Sequence, residues 1–120
     1  MRKNQYLYKL GLRELFRRHS GELLIIQAHP YRSNGTPEIE FLHGVEVFNG
    51  NPRHKNRNNK TRKLCDKHPG LCQLSASDTH ETEDVGIGWM EFDRPIVDSF
   101  CFKELVKRGA YVLRHGAVSH

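Results

Sequence analysis

An α/β fold built from parallel β/α units is the class this sequence predicts, and three observations predict it. Short apolar runs alternate with stretches of helical periodicity or polar helical composition. Clusters of Gly, Pro, Asn and Ser separate the segments. The first three apolar runs each exit into polar side chains: His29 and Arg32, then Asn49 and Asn51, then Ser77, Asp78 and His80. Strands alternating with helices form a parallel sheet, whose reactive groups gather at the carboxyl ends of the strands, so these exits are expected at one rim.

The elements follow in order. Leu7, Leu10, Leu12, Leu15 and Phe16 recur at near-helical spacing, with Arg13, Arg17 and Arg18 on the polar side, which predicts an amphipathic helix over 6–19. Ser20-Gly21 breaks it. Glu22-Leu23-Leu24-Ile25-Ile26-Gln27 predicts a short strand buried on both faces, with His29 just past its end. Pro30 and Ser33-Asn34-Gly35-Thr36-Pro37 mark a loop, after which residues 43–48 predict a second strand closed by Asn49-Gly50-Asn51-Pro52. Residues 54–68 predict an exposed helix with a thin apolar stripe through Leu64 and Cys65, stopped by Pro69-Gly70. Residues 71–76 predict a third strand. Residues 81–94 read as an irregular segment or hairpin around Gly86, Ile87 and Gly88; a helix over 97–108 and a strand over 110–114 close the chain. There is no internal repeat, linker or low-complexity tail, so residues 1–120 are expected to be one unit.

Composition narrows the function classes. The longest apolar run, Leu23 to Ile26, is far short of the ~20 residues that span a bilayer. Met1-Arg2-Lys3-Asn4-Gln5 leads into mixed polar sequence without an apolar h-region, so a cytoplasmic protein is expected. Cys65, Cys72 and Cys101 are odd in number and lack C-x-x-C spacing, which argues for reduced structural thiols over a disulfide framework or a cysteine zinc site. A formal charge of +5 favours an anionic partner, either a phosphorylated small molecule or nucleic acid. Much of the positive charge lies in the run from Arg53 to Lys63, whereas Glu81, Glu83 and Asp84 form an acidic patch; the two patches are expected to face different surroundings.

Asp78-Thr79-His80 is the most informative motif. Side chains two apart in an extended segment project to one side, so the carboxylate and imidazole can grip one divalent cation; an Asx-turn and helix cap is the competing reading. His29 reads as a hydrogen-bonding residue or, beside the D-x-H, as a metal ligand. Glu46 lies between Val45 and Val47; if the valines face the helices, its carboxylate points inward and needs a cation such as Arg32, a metal, or a proton. A supporting or substrate-side place is favoured for it over direct ligation. Arg32 is either a phosphate clamp or a surface loop residue. The basic run reads as a solvated helix face or, with its asparagines adding hydrogen bonds, as a phosphate-contacting surface that lacks interleaved aromatics. The cysteines are expected in the core, and Trp89 and Phe92 over a core edge. His115 and His120 support no assignment, and Asn59-Lys60-Thr61 matches a glycosylation sequon by chance.

With Ala28-His29-Pro30-Tyr31-Arg32, Gly44-Val45-Glu46-Val47-Phe48-Asn49-Gly50 and Ser77-Asp78-Thr79-His80 in this order, followed by Asp84-Val85-Gly86-Ile87-Gly88, the chain resembles the polymerase-and-histidinol-phosphatase (PHP) family of metal-dependent phosphoesterases from about Leu23 to Phe92. The resemblance implies part of a distorted seven-stranded β/α barrel whose strand ends hold divalent manganese, zinc or iron. It implies His29, Asp78 and His80 as metal ligands and Arg32 as a phosphate contact. The H-x-H that opens such domains is absent from this sequence. At about 30 residues per β/α unit, the length supplies only about four units, so the resemblance is to a C-terminal half, beginning at an internal or alternative Met1.

Three functions are therefore in play. The first is a PHP-type hydrolase acting on a phosphorylated small molecule or nucleotide, incomplete in this chain and weak unless another chain contributes ligands. A half barrel leaves strand edges and an apolar face open, so self-association or pairing with a separate N-terminal half is expected. The second is a non-catalytic remnant or interaction module, and the third a nucleic-acid-binding protein using the basic run.

Overall fold

The computed structural model describes residues 10–33 and 35–116. The start of the expected first helix, with Leu7, and the residues Asn34 and His120 lie outside them. Within them the chain alternates as expected: α1 (Leu12–His19), β1 (Ile26–Gln27), a 3₁₀ turn (Ile39–Phe41), β2 (Gly44–Asn49), α2 (Asn58–Lys67), β3 (Cys72–Ala76), a second 3₁₀ turn (Thr82–Asp84), β4 (Gly88–Phe92), α3 (Ser99–Lys107) and β5 (Tyr111–His115). β1, β2 and β3 form a parallel sheet in that order. All three therefore run the same way, and their carboxyl ends share one side of the molecule.

Three expectations need correction. The first strand is two residues long, because Leu23 and Leu24 make no ladder: β1 is an edge strand, paired with β2 alone, through Ile26 opposite Gly44 and Gln27 opposite Val45. The hairpin-like segment 81–94 resolves into a turn and a full strand. That strand, β4, pairs antiparallel with β5, from Gly88 opposite His115 to Phe92 opposite Tyr111, so the last unit departs from the parallel pattern. The five strands lie in a three-stranded and a two-stranded sheet, and no barrel is seen among the described residues.

Side chains join the two sheets where a strand ladder would have done so. Ser77 Oγ donates to Gly88 O and accepts from Gly88 N, both at 2.9 Å. Ser75 Oγ donates to Arg114 O at 2.9 Å, and Gln73 N donates to the Tyr111 hydroxyl at 2.9 Å. Gly88 has no room for a side chain: a Cβ there would lie 2.7 Å from Ala76 O.

The core forms where the sheet meets the helices. Val45 and Val47, both buried, point from β2 into a cluster with Ile25, Leu42 and Cys65. Leu12, Leu15 and Phe16 of α1 pack against that cluster, so the amphipathic reading holds over 12–19, whereas Leu10 and Gly11, expected inside the helix, precede it, with Gly11 extended at its N-cap. α2 presents Asn58, Thr61 and Cys65 to the sheet at i, i+3 and i+7, a stripe more polar than the expected one through Leu64. α3 buries Leu105 and Val106. Cys65 fills the core as expected, whereas Trp89 is 41% exposed on β4 and covers no core edge. Phe92 packs between Phe102 and Tyr111.

His43, expected as the first residue of β2, instead ties three segments together. Its Nδ1 accepts from Ile25 N at 2.9 Å and its Nε2 donates to Ser20 O at 2.9 Å, which specifies the neutral tautomer. Burial is the main cause of the lowered basicity of this imidazole, and nearby Lys107 adds to it.

Candidate functional site

The site is built at the carboxyl ends of the parallel strands, and a local irregularity arranges it. β2 carries one extra residue relative to β3: Glu46 lies opposite Leu74, yet Phe48 lies opposite Ser75. In a regular strand, residues three apart point to opposite faces. This bulge brings Glu46 and Asn49 to one side, where Asn49 Nδ2 donates to Glu46 Oε1 at 2.7 Å. Glu46 Oε1 also accepts from the His29 backbone N–H at 2.9 Å. Oε1 of the inward Glu46 carboxylate thus takes an amide and a main-chain donor, and Arg32 is linked to it through Asn49.

Asn49 is 1% exposed and uses its whole side-chain capacity. Its second amide hydrogen goes to Asp78 Oδ2 at 3.2 Å, and its Oδ1 accepts from Arg32 Nη2 at 3.2 Å and from Asn51 N at 2.9 Å. Arg32 Nη2 also donates to Asp78 Oδ2 at 2.7 Å and, with Nε, to Asn56 Oδ1 at 2.8 and 3.0 Å. The Arg32 hydrogen bond is the first cause of an Asp78 carboxyl held below the ordinary carboxylate range, with Asn49 and Asn51 contributing.

Asparagines also close the backbone of β2. Asn58 Oδ1 accepts from Asn49 N at 3.0 Å while Asn58 Nδ2 donates to Asn49 O at 3.1 Å, so one side chain stands in for a neighbouring strand. Asn56 Nδ2 donates to the carbonyls of Asn49 and Asn51. These amides are occupied within the fold, so of the basic run it is Arg62, Lys63 and their exposed neighbours, not Asn56 or Asn58, that face solvent. Lys60 sits 4.5 Å from the centre of the Tyr31 ring.

The D-x-H loop is held by Asp84. This residue is 1% exposed, so it does not belong to an open acidic patch with Glu81 and Glu83. Its Oδ2 accepts from the backbone N–H groups of His80 and Glu81 and from Arg53 Nη1 at 2.6 Å. The basic and acidic stretches therefore meet at Arg53 and Asp84 instead of facing different surroundings. Arg53 is also the first cause of an Asp84 carboxyl held below its ordinary range.

His80 Nδ1 lies 3.7 Å from Asp78 Oδ1, 2.9 Å from Asp78 O and 3.2 Å from Asn51 Nδ2. Asp78 and His29, at two strand exits, both adopt positive φ, 51° and 30°, a region that non-glycine residues enter mainly where surrounding contacts demand it. The structure therefore brings Asp78, His80, Arg32 and Glu46 into one bonded network. It does not add the His29 imidazole to Asp78 and His80: among the described residues no group of three or more His, Cys, Asp or Glu side chains is placed to hold a metal. Carboxylate and imidazole are suitable donors for manganese, zinc or iron, but two donors are too few for a closed centre. As it stands, the donor set does not fit a complete metal site.

Asn56 and Asn58, expected at most on a phosphate-contacting surface, and Asp84, expected in an acidic patch, instead hold the end of β2 and the D-x-H loop. The sequence signal for the two asparagines was the density of asparagine between residues 49 and 59. Asparagine offers a matched donor and acceptor and so can pair with a strand's exposed main chain.

Comparison with known proteins adds the family. Residues 55–109 match the family described as PHP-associated, a stretch that includes Asp78 and His80 and stops short of His29, Arg32 and Glu46. Over that stretch, a little under half of its length, the chain is similar to a PHP-associated domain. No curated protein and no solved structure matches the chain. The PHP-associated match begins just ahead of α2 and ends just after α3, so its elements include β3, β4 and the loop that presents the D-x-H pair. Among the described residues no helix is long and apolar enough to cross a membrane.

Proposed function

We propose that this chain is the C-terminal portion of a PHP-type metal-dependent phosphoesterase, contributing part of the active site to an assembly that another polypeptide segment completes. The observation that carries this reading is the convergence of Arg32, Glu46, Asn49, Asp78 and His80 at the carboxyl ends of three parallel strands. The parallel sheet is then a segment of a β/α barrel wall, with the edge of β1 as the place where the wall continues. In the completed assembly Asp78 and His80 would supply two ligands, His29 a third if its imidazole turned toward them, and Arg32 would contact the phosphate of the substrate. A metal held by these residues together with donors from the completing segment would supply a Lewis acid for phosphate-ester hydrolysis. Glu46 and Asn49 keep the rim in register. A cytoplasmic setting, in which the three thiols stay reduced, goes with this reading.

A second reading, a non-catalytic interaction module, has its own support in the shortage of donors around Asp78 and His80. One experiment separates them. Metal uptake per chain is measured by equilibrium dialysis against manganese, zinc and iron, with solution mass from light scattering and hydrolysis of a generic phosphomonoester recorded in parallel. The phosphoesterase reading expects uptake that an Asp78→Ala/His80→Ala variant lacks, with weak hydrolysis that follows the metal. Equal uptake in both proteins, or none in either, would leave the interaction module.

A further inference from the structure

Most arginines of this fold have a carboxylate partner: Arg13 has Glu38, Arg32 has Asp78, Arg53 has Asp84 and Arg114 has Glu91. α2 and the loop before it are different. Among the described residues Lys55, Arg57, Lys60, Arg62, Lys63 and Lys67 form no ion pair, and Asp66, the single carboxylate of the helix, pairs with none of them. Lys60, Lys63 and Lys67 recur at i, i+3 and i+7, the spacing of the buried Asn58, Thr61 and Cys65, and all three are exposed. They form a ridge along the outer side of the helix. Most of this charge opposes the helix. Lys60 and Lys63, then Lys63 and Lys67, are neighbours on the helix surface, where like charges destabilise. Lys55 and Arg57 stand beside the positive end of the helix dipole, where a carboxylate would be favourable, yet the first turn has none and no side chain caps it. Only Lys67, in the last turn, suits the dipole. The helix is held in place all the same: the amides of Asn56 and Asn58 donate to the Asn49 carbonyl, and the Lys60 ammonium rests 4.5 Å from the centre of the Tyr31 ring.

We propose that the outer face of α2 is a docking surface for the phosphate backbone of a duplex nucleic acid, bound without regard to sequence. From Lys60 to Lys67 the helix rises ~10 Å. Over that length one strand of a duplex presents about three phosphates. The uncapped amides at the start of α2 extend the same positive field. No Phe, Tyr or Trp lies between Arg53 and His68, and Tyr31, which Lys60 covers, is 6% exposed. The ridge therefore offers no such ring for an unpaired base to stack on, which favours a duplex over a single strand. An acidic protein would meet the same charge, but protein partners are anchored by buried aromatic or apolar side chains, and the three lysines supply none. Neither metal nor hydrolysis enters this inference, so it stands apart from the phosphoesterase reading.

The test is fluorescence anisotropy of short labelled DNA and RNA duplexes, each in two unrelated sequences, with the full chain over a series of salt concentrations. Wild type is compared with Lys60→Gln/Lys63→Gln/Lys67→Gln and with Arg17→Gln/Arg94→Gln/Arg114→Gln, which removes the same charge from other surfaces. Wild type is expected to bind both sequences alike and more weakly as salt rises. The lysine variant is expected to bind about tenfold or more weakly at low salt and to flatten the slope of log K against log salt by about 3, whereas the arginine variant keeps that slope. Binding of the DNA duplex, the RNA duplex or both satisfies the proposal and tells which duplex geometry the ridge fits. Equal losses in the two variants, no binding at low salt, or tighter binding to one sequence or to the single strand overturns it. Displacement by polyglutamate as effective as by unlabelled duplex of equal charge also overturns it and assigns the face to an acidic protein. Because the lysines repel one another, the lysine variant is expected to melt no lower than wild type; a lower midpoint, or a failure to fold, would show that the ridge serves the fold and would overturn the proposal.

Discussion

His43 shows how much one side chain can govern without taking part in chemistry. Its two ring nitrogens join the turn after α1 to the start of β1, and Phe16 packs 5.2 Å from its ring. Protonating it would place an N–H against the Ile25 N–H. The native fold therefore resists a proton that the unfolded chain accepts near pH 6.5. The stabilisation is complete above that pH and declines as the pH falls toward the lower native value. A thermal melt series from pH 7.5 to 5 is expected to show a falling midpoint, and His43→Gln a shallower fall; parallel slopes would assign the pH dependence elsewhere. Asp78 acts at the acid end with its own sign. Its carboxyl is depressed first by the Arg32 hydrogen bond, so its contribution holds above the ordinary carboxylate range and is lost as the pH drops through the lower native value. Residue identity at these two positions was readable from the chain; their partners, 18 and 46 residues away, were not.

At the scale of elements, local chemistry and tertiary contact make separable demands. α3 begins at a local signal: Asp98 accepts from Cys101 N at 2.7 Å, an N-cap visible in the order of residues. Asp98→Ala is expected to cost ~1 kcal/mol in chemical denaturation. Gly88→Ala is expected to cost ~1–3 kcal/mol, because the new methyl would press on the Ala76 carbonyl across the junction between sheets. A cost for Gly88→Ala below that of Asp98→Ala would show that β4 shifts freely against β3. The same division explains what could be read in advance. The helix over 97–108 and the strand over 110–114 each agree with the observed element to within two residues, because cap, periodicity and the Gly109 turn are local. The antiparallel direction of β5, the extra residue in β2 and the substitution of Asn58 for a strand neighbour depend on segments far apart in sequence. Apolar pattern specifies that a strand exists, not which edge it joins.

For the whole molecule, the open features lie together. β1 pairs on one side only, and Leu23, Leu24, Phe100 and Phe102 line a groove that includes Lys103. Val97 is 79% and Phe100 64% exposed, so apolar side chains at the start of α3 face solvent. Light scattering is expected to show a mass that rises with concentration and returns to that of one chain in Phe100→Ser/Val97→Ser; a monomer throughout would put completion of the rim on a different polypeptide. The three buried or half-buried thiols give this molecule a native clock. Cys65 is 2% exposed, and burial pushes its thiol up to about 11. In the closed fold a thiol-specific dye finds neither access nor thiolate there. Because Cys65 shares the inner face of α2 with Asn58, its labelling rate reports how often that helix lifts, and thus how long the end of β2 stays closed between openings.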